Sequence, residues 1–146
     1  MLKISTCFRI CEEWRDPAEN SLLLKLQIEG KPFTFIAGCI YGPNKHEPAF
    51  FDFLRNNVPR NLPVILGGDW NCTPNSSPPR DNPDVINMVS IPKKRHSDYL
   101  SNLCDDLTLY EPYRALHPNF NEYTYIPSDP LKKNRSRIDF FWFLSQ

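Results

Sequence analysis

Proline limits this chain more than any other feature. It fills 15 of the 146 positions, about twice its average share of roughly 5%. Each proline fixes φ and removes a backbone donor. The chain must therefore be assembled from short elements and shaped loops, not from long helices. Its length is one domain's worth of polypeptide, enough to bury a real core.

The apolar pattern predicts where those short elements fall. SLLLKLQIEG (21–30) and FTFIAGCIY (33–41) flank Gly30-Lys31-Pro32 and read as an antiparallel hairpin with strands near 22–29 and 33–41. HEPAFFDFLRNNV (46–58) carries Phe50, Phe53, Leu54 and Val58 at helical spacing, which predicts a helix near 47–57. NLPVILGGD contains a short, wholly apolar strand near 62–67, a pattern expected of a strand buried on both faces. Residues 72–83 are nearly pure turn chemistry. DYLSNLCDDL predicts a second helix over 98–107 with Ser97 as N-cap. LTLYEPY reads as a strand or extended segment. EYTYIP and SRIDFFWFLS read as strands around a basic loop over 127–137, the last near 136–144. The order predicts one layered α/β domain on a mixed or antiparallel sheet, with no Gly-rich phosphate loop after a first strand.

Lys+Arg and Asp+Glu are equal at 17 each, so global charge names no partner. A nucleic-acid reading must rest on a local basic cluster. Cys7, Cys11, Cys39, Cys72 and Cys104 are odd in number and form no CxxC pair. They read as reduced cysteines of an intracellular protein. The first residues lack the long apolar stretch of a signal peptide, and no run approaches the roughly 18 apolar residues of a membrane span.

Three stretches carry chemistry. In GGDWN, Asp69 and Asn71 follow an apolar strand at i and i+2, so a carboxylate and an amide would project to one side of a sheet end. Gly67 and Gly68 would let the backbone turn and a ligand come close. The same letters also suit a simple turn. In CIYGPN, a second strand ends in Tyr41 and Asn44; Gly-Pro-Asn is equally good turn sequence. In KKNRSRIDFFW, Asp139 sits among large apolar residues, where an acid needs a partner. Lys132, Lys133, Arg135 and Arg137 before it form the densest basic run; such a run reads as a solvated loop or as a phosphate-binding one.

The order of IYGPN, GGDWN, HPNFNEYTY and SRIDFFW, from about residue 33 to 144, resembles the endonuclease/exonuclease/phosphatase superfamily. It is most similar to the apurinic-type endonuclease domains of non-LTR retrotransposons. The resemblance implies a four-layer α/β sandwich and phosphodiester hydrolysis assisted by Mg²⁺ (or Mn²⁺). It implies that Asp69 orients the attacking water or holds metal and that Asn71 contacts the scissile phosphate and shares the metal site. By the same likeness Tyr41 contacts phosphate and Asp139 orients a catalytic histidine; Asn44 at the same rim and the basic run of Lys132, Lys133, Arg135 and Arg137 are expected to meet DNA. Trp70 stands where relatives more often have Phe or Leu.

The resemblance also implies an early metal-binding Glu and a late His. Neither block is matched: Glu12 and Glu13 lie in a different context, and His46, His96 and His117 occur elsewhere. The chain is thus expected to be a single partial domain, truncated at both ends and weak as a nuclease by itself. DNA is the implied partner, with a reverse transcriptase in a parent polyprotein and a nuclear location. A repair nuclease, a phosphoesterase of the same superfamily, and a remnant that binds without cutting are the competing readings.

Overall fold

A computed structural model describes residues 7–45, 47–74, 81–88, 94–118 and 120–144. Strands β1 (Phe8–Arg15), β2 (Ser21–Ile28) and β3 (Thr34–Tyr41) lead into helix α1 (Pro48–Asn57) and strand β4 (Val64–Asp69). Then come β5 (Val85–Ile86), α2 (Lys94–Leu107), α3 (Pro112–Leu116), β6 (Arg135–Ser136) and β7 (Asp139–Leu144). The fold is α/β, as the sequence predicts, and among the described residues no helix is longer than 14 residues.

Five strands form one sheet in the order β1-β2-β3-β4-β7, and β5 pairs with β6 in a separate two-stranded ribbon. The β2–β3 hairpin closes as expected: Gly30 takes a positive φ of 72°, and Ile28 N–H donates to the Phe33 carbonyl at 3.1 Å. The β3–β4 pair is parallel, with α1 as its crossover, and β4–β7 is antiparallel. Alternation sends Leu23, Ile36, Ile40, Val64, Leu66, Phe140, Trp142 and Leu144 to one face, where they join Phe50, Phe51 and Leu54 of α1 and Leu100, Leu103 and Leu107 of α2 in a single core. Proline at the first turn starts α1 with φ already set.

Several expectations need correction. β4 is buried on one face only: Val64 and Leu66 are buried, whereas Ile65 between them is exposed. Of the four implied layers, the described residues form the five-stranded sheet, its helical cover and the small ribbon. β1 has no counterpart in the sequence reading, because an edge strand rich in Glu and Arg shows no clear apolar period. Its charges pair locally, Glu12 with Lys25 and Glu13 with Arg15. The predicted strand near 136–144 is two strands, β6 and β7, separated at 137–138. LTLYEPY gives a single bridge, Tyr110 to Phe143, and then turns into α3 at Pro112. EYTYIP likewise contributes one bridge, Tyr125 to Ser136. Ser97 is no N-cap: α2 begins earlier, and the Ser97 hydroxyl is buried 3.3 Å from that of Thr73. Six positions of the 72–83 loop (75–80), and His46, lie outside the described residues.

Candidate functional site

Three side chains from distant parts of the chain share one rung of the sheet. The parallel register sets Tyr41 opposite Asp69, and the antiparallel register sets Asp69 opposite Asp139. Directly opposed residues point to the same face, here the face away from α1 and α2. Tyr41 and Asp139 are exposed there, and Asp69 is half-buried between them. Asp139 therefore pays no burial penalty, contrary to the expectation of an acid enclosed by apolar residues. Its own N–H and that of Ile138 both donate to the Thr124 hydroxyl, at 3.2 and 3.0 Å.

The GGDWN stretch is shaped by packing. A Cβ on Gly67 would strike the Phe141 ring, and one on Gly68 would strike the Ile40 carbonyl. Gly68 also has φ +144°, a conformation that side chains disfavour. The two glycines thus make room for the protein itself, not for a ligand. The Trp70 side chain is buried in the core, and its backbone N–H donates to the Ile138 carbonyl at 2.8 Å. Asn71 does not continue the strand. It adopts a left-handed φ of 52°, which Asn tolerates, and its N–H donates to Asp69 Oδ1 at 2.8 Å. The turn reading holds: an Asx turn follows β4 at Asp69 and Asn71. Asn71 Nδ2 donates to the Gly42 carbonyl at 2.7 Å, which fixes the amide.

Asn44 Nδ2 stands 3.5 Å from the Tyr41 hydroxyl. Asn44 and Asn71 line a cleft of about 360 Å³ together with Thr73, Tyr125, Asn134 and Ser136. The last four escaped the sequence reading, since they sit in loops and short strands with no repeating pattern; the NRSR and YTY stretches were the available signals. Asp139 borders a second cleft of about 360 Å³ with Tyr113, Glu122, Thr124 and Phe141.

The basic run divides. Lys132, Lys133 and Arg135 are exposed, and Arg135 stands between Asn134 and Ser136 of the first cleft's wall. Arg137 is placed otherwise than expected. Its side chain is 5% exposed and pairs with Asp84 at 2.7 Å and with Glu111 through both nitrogens of its fork. Arg114 reaches the same Asp84 at 2.6 Å. Burial works against the Arg137 charge, but the Glu111 and Asp84 carboxylates outweigh it and hold its pKa above the ordinary value. A guanidinium so enclosed is not available to a phosphate.

Two aspartates facing each other across neighbouring strands repel. Together with the Asn71 side-chain oxygen two residues on, the donors are all oxygen, the set that suits a hard divalent cation. Among the described residues, no group of three or more His, Cys, Asp or Glu could hold a metal. The set fits Mg²⁺ in the manner of an ion held by one or two carboxylates, with water and substrate phosphate completing its shell. His117 closes α3 and packs at 5.1 Å from the Tyr113 ring. His96 is buried 6.0 Å from Phe51. Neither lies on the rung or among the residues lining its two clefts.

No protein-family profile matches the chain, and no curated protein sequence does. Solved structures do match in fold. An AP endonuclease from Archaeoglobus fulgidus aligns with TM-score 0.54 and 18% identity, over 83% of this chain and 51% of that one. The human Nocturnin catalytic domain, solved with a bound sulfate anion, aligns with TM-score 0.52 and 11% identity, over 93% and 48%. The endonuclease domain of TRAS1, a telomere-specific non-LTR retrotransposon, aligns with TM-score 0.51 and 15% identity, over 90% and 54%. The fold is that of endonuclease/exonuclease/phosphatase-type proteins, and the chain spans about half the length of each of these three.

Proposed function

We propose that this chain carries the phosphate-binding and water-orienting part of a metal-assisted phosphodiesterase that nicks DNA, of the kind found in non-LTR retroelements. The observation that carries the reading is the Tyr41–Asp69–Asp139 rung, two residues from Asn71 of the amide-lined cleft. Tyr41 and Asn44 supply donors for a phosphate oxygen. Asn71, its amide fixed by Gly42, offers one more. Asp69 accepts a proton from water or orients it, and Asp139 holds the far side of the rung. Asp69 and Asn71 would hold Mg²⁺ (or Mn²⁺), which when bound neutralises charge at phosphorus. Lys132, Lys133 and Arg135 guide the DNA backbone. Arg137 supports the wall from within the fold.

The fold likeness to the TRAS1 domain and the YTY stretch favour a retroelement nuclease acting beside a reverse transcriptase in the nucleus. The absence of a three-ligand acidic or histidine group among the described residues favours a second reading, in which the chain binds DNA without cutting.

Nicking of supercoiled plasmid tests both. Slow nicking that needs Mg²⁺, stops with a chelator and falls about 10²–10⁴-fold in Asp69→Ala is the expected result. Nicking indifferent to Asp69→Ala and to chelation refutes the assignment. DNA binding with no nicking at any Mg²⁺ concentration supports the second reading. Preference for an abasic duplex over undamaged DNA would move the chain to repair.

A further inference from the structure

Asp69 and Asp139 face each other across β4 and β7 in a pair of one particular kind. The bond between the strands at this level runs from the Trp70 N–H to the Ile138 carbonyl, one residue to the side of each aspartate. The two therefore form a non-hydrogen-bonded pair. In such a pair the α-carbons lie about 4.5 Å apart and the side chains come closest. Like charges set there repel. The repulsion acts on the first residue of β7, and strand ends open more readily than strand centres. The Asp139 N–H in such a pair points away from β4, toward the outer edge of the sheet, because β7 is its last strand.

The Thr124 hydroxyl stands at that edge. It accepts the Asp139 N–H at 3.2 Å and the Ile138 N–H at 3.0 Å. A hydroxyl has two acceptor positions, and here both are used. Thr124 is itself anchored. Its N–H and that of Tyr125 donate to the Ser136 carbonyl at 3.1 and 2.8 Å, and the Ser136 N–H donates to the Tyr125 carbonyl at 3.1 Å. These backbone bonds reach only as far as Ser136, where β6 ends; β7 starts at Asp139. The Thr124 side chain carries the tie across the break at 137–138. Farther along the same edge Phe143 is held separately, by two bonds with Tyr110 at 2.9 Å each. Thr124 also lines the cleft that Asp139 borders.

We infer that Thr124 is a positioning residue of the rung: its hydroxyl keeps Asp139 opposite Asp69 against the repulsion of the two carboxylates. The consequence for rate rests on the proposed hydrolysis; the clamp itself rests on the geometry of β7 alone.

Thr124→Val keeps the shape of the side chain and removes the hydroxyl, whereas Thr124→Ser keeps the hydroxyl. Nuclear magnetic resonance of the full chain reads the clamp without any reaction. The α-hydrogens of a non-hydrogen-bonded pair face each other, so Asp69 and Asp139 should give a strong cross-peak in the unaltered chain. Thr124→Val should weaken it and speed amide exchange at Ile138 and Asp139 about tenfold, with exchange at Phe143 unchanged. Thr124→Ser should match the unaltered chain. In nicking of supercoiled plasmid with Mg²⁺, Thr124→Val should lower kcat about ten- to a hundredfold, the scale of a small misplacement. KM for DNA should stay within about twofold, because Lys132, Lys133 and Arg135 are untouched, and Thr124→Ser should restore most of kcat. An unchanged cross-peak and unchanged Asp139 exchange in Thr124→Val overturn the inference. So does a normal kcat in Thr124→Val, a loss that Thr124→Ser does not restore, or exchange that rises equally at Phe143. Nicking by no form, with the cross-peak weakened in Thr124→Val alone, supports the clamp and refutes the proposed hydrolysis.

Discussion

Residues 132–137 hold four cations, and the fold uses them in two opposite ways. Lys132, Lys133 and Arg135 stand in solvent, whereas Arg137 lies inside, between carboxylates and rings. Its guanidinium sits 4.5 Å from the Phe140 ring centre and 5.0 Å from that of Tyr113. The switch happens over two residues. Arg135 pairs with Ile86 on the ribbon, and the chain then turns inward, with Arg137 N–H donating to the Asp84 carbonyl at 2.8 Å. Asp84 and Glu111 are 53 and 26 residues away in sequence. The role of a cation is thus set by what the fold brings to it, not by its neighbours in the chain.

The largest expected effect falls on the buried member. Arg137→Ala leaves Asp84 and Glu111 without their shared cation and should cost about 3–5 kcal/mol of stability, read from the urea midpoint at constant m-value. A loss below about 1 kcal/mol would show that the network does not hold the fold. Arg114→Ala should cost less, about 1–3 kcal/mol. Arg114 caps the carbonyls of His117, Pro118 and Phe120, but Asp84 keeps Arg137 as its partner.

Removing the exposed members should do the reverse. The triple change of Lys132, Lys133 and Arg135 to Ala should leave stability within about 0.5 kcal/mol. It should flatten the log–log salt dependence of DNA binding by up to about 2.7, at about 0.9 per phosphate contact. An unchanged slope would make these three a solvated loop and nothing more.

The smallest effect carries the same contrast to the cysteines. Burial drives the Cys104 thiol far above its ordinary pKa, with Asp105 adding to the shift, so it should resist alkylation at mildly alkaline pH until the chain is unfolded. Exposed Cys39, in dilute solution, should react at once. Equal rates would mean that α2 opens readily.

The sequence by itself determined the hairpin, α1, β4 and the α/β class, because Gly30-Lys31-Pro32 and the apolar periods are local signals that neighbouring residues suffice to read. It also marked Tyr41 and Asp69 as candidates at the ends of apolar strands, and Asp139 as one within an apolar strand. Strand register, which no single strand encodes, decided that they share one rung. Tertiary structure alone placed Arg137 in the interior, filled the space beside Gly67 with Phe141, and added Thr73, Tyr125, Asn134 and Ser136 to the cleft. It also hid β1 from a periodicity reading, since an edge strand is held by pairing to Ser21–Ile28 and needs no apolar stripe of its own. Each of these outcomes depends on groups that meet across long stretches of chain, where burial and pairing outweigh what any residue prefers alone.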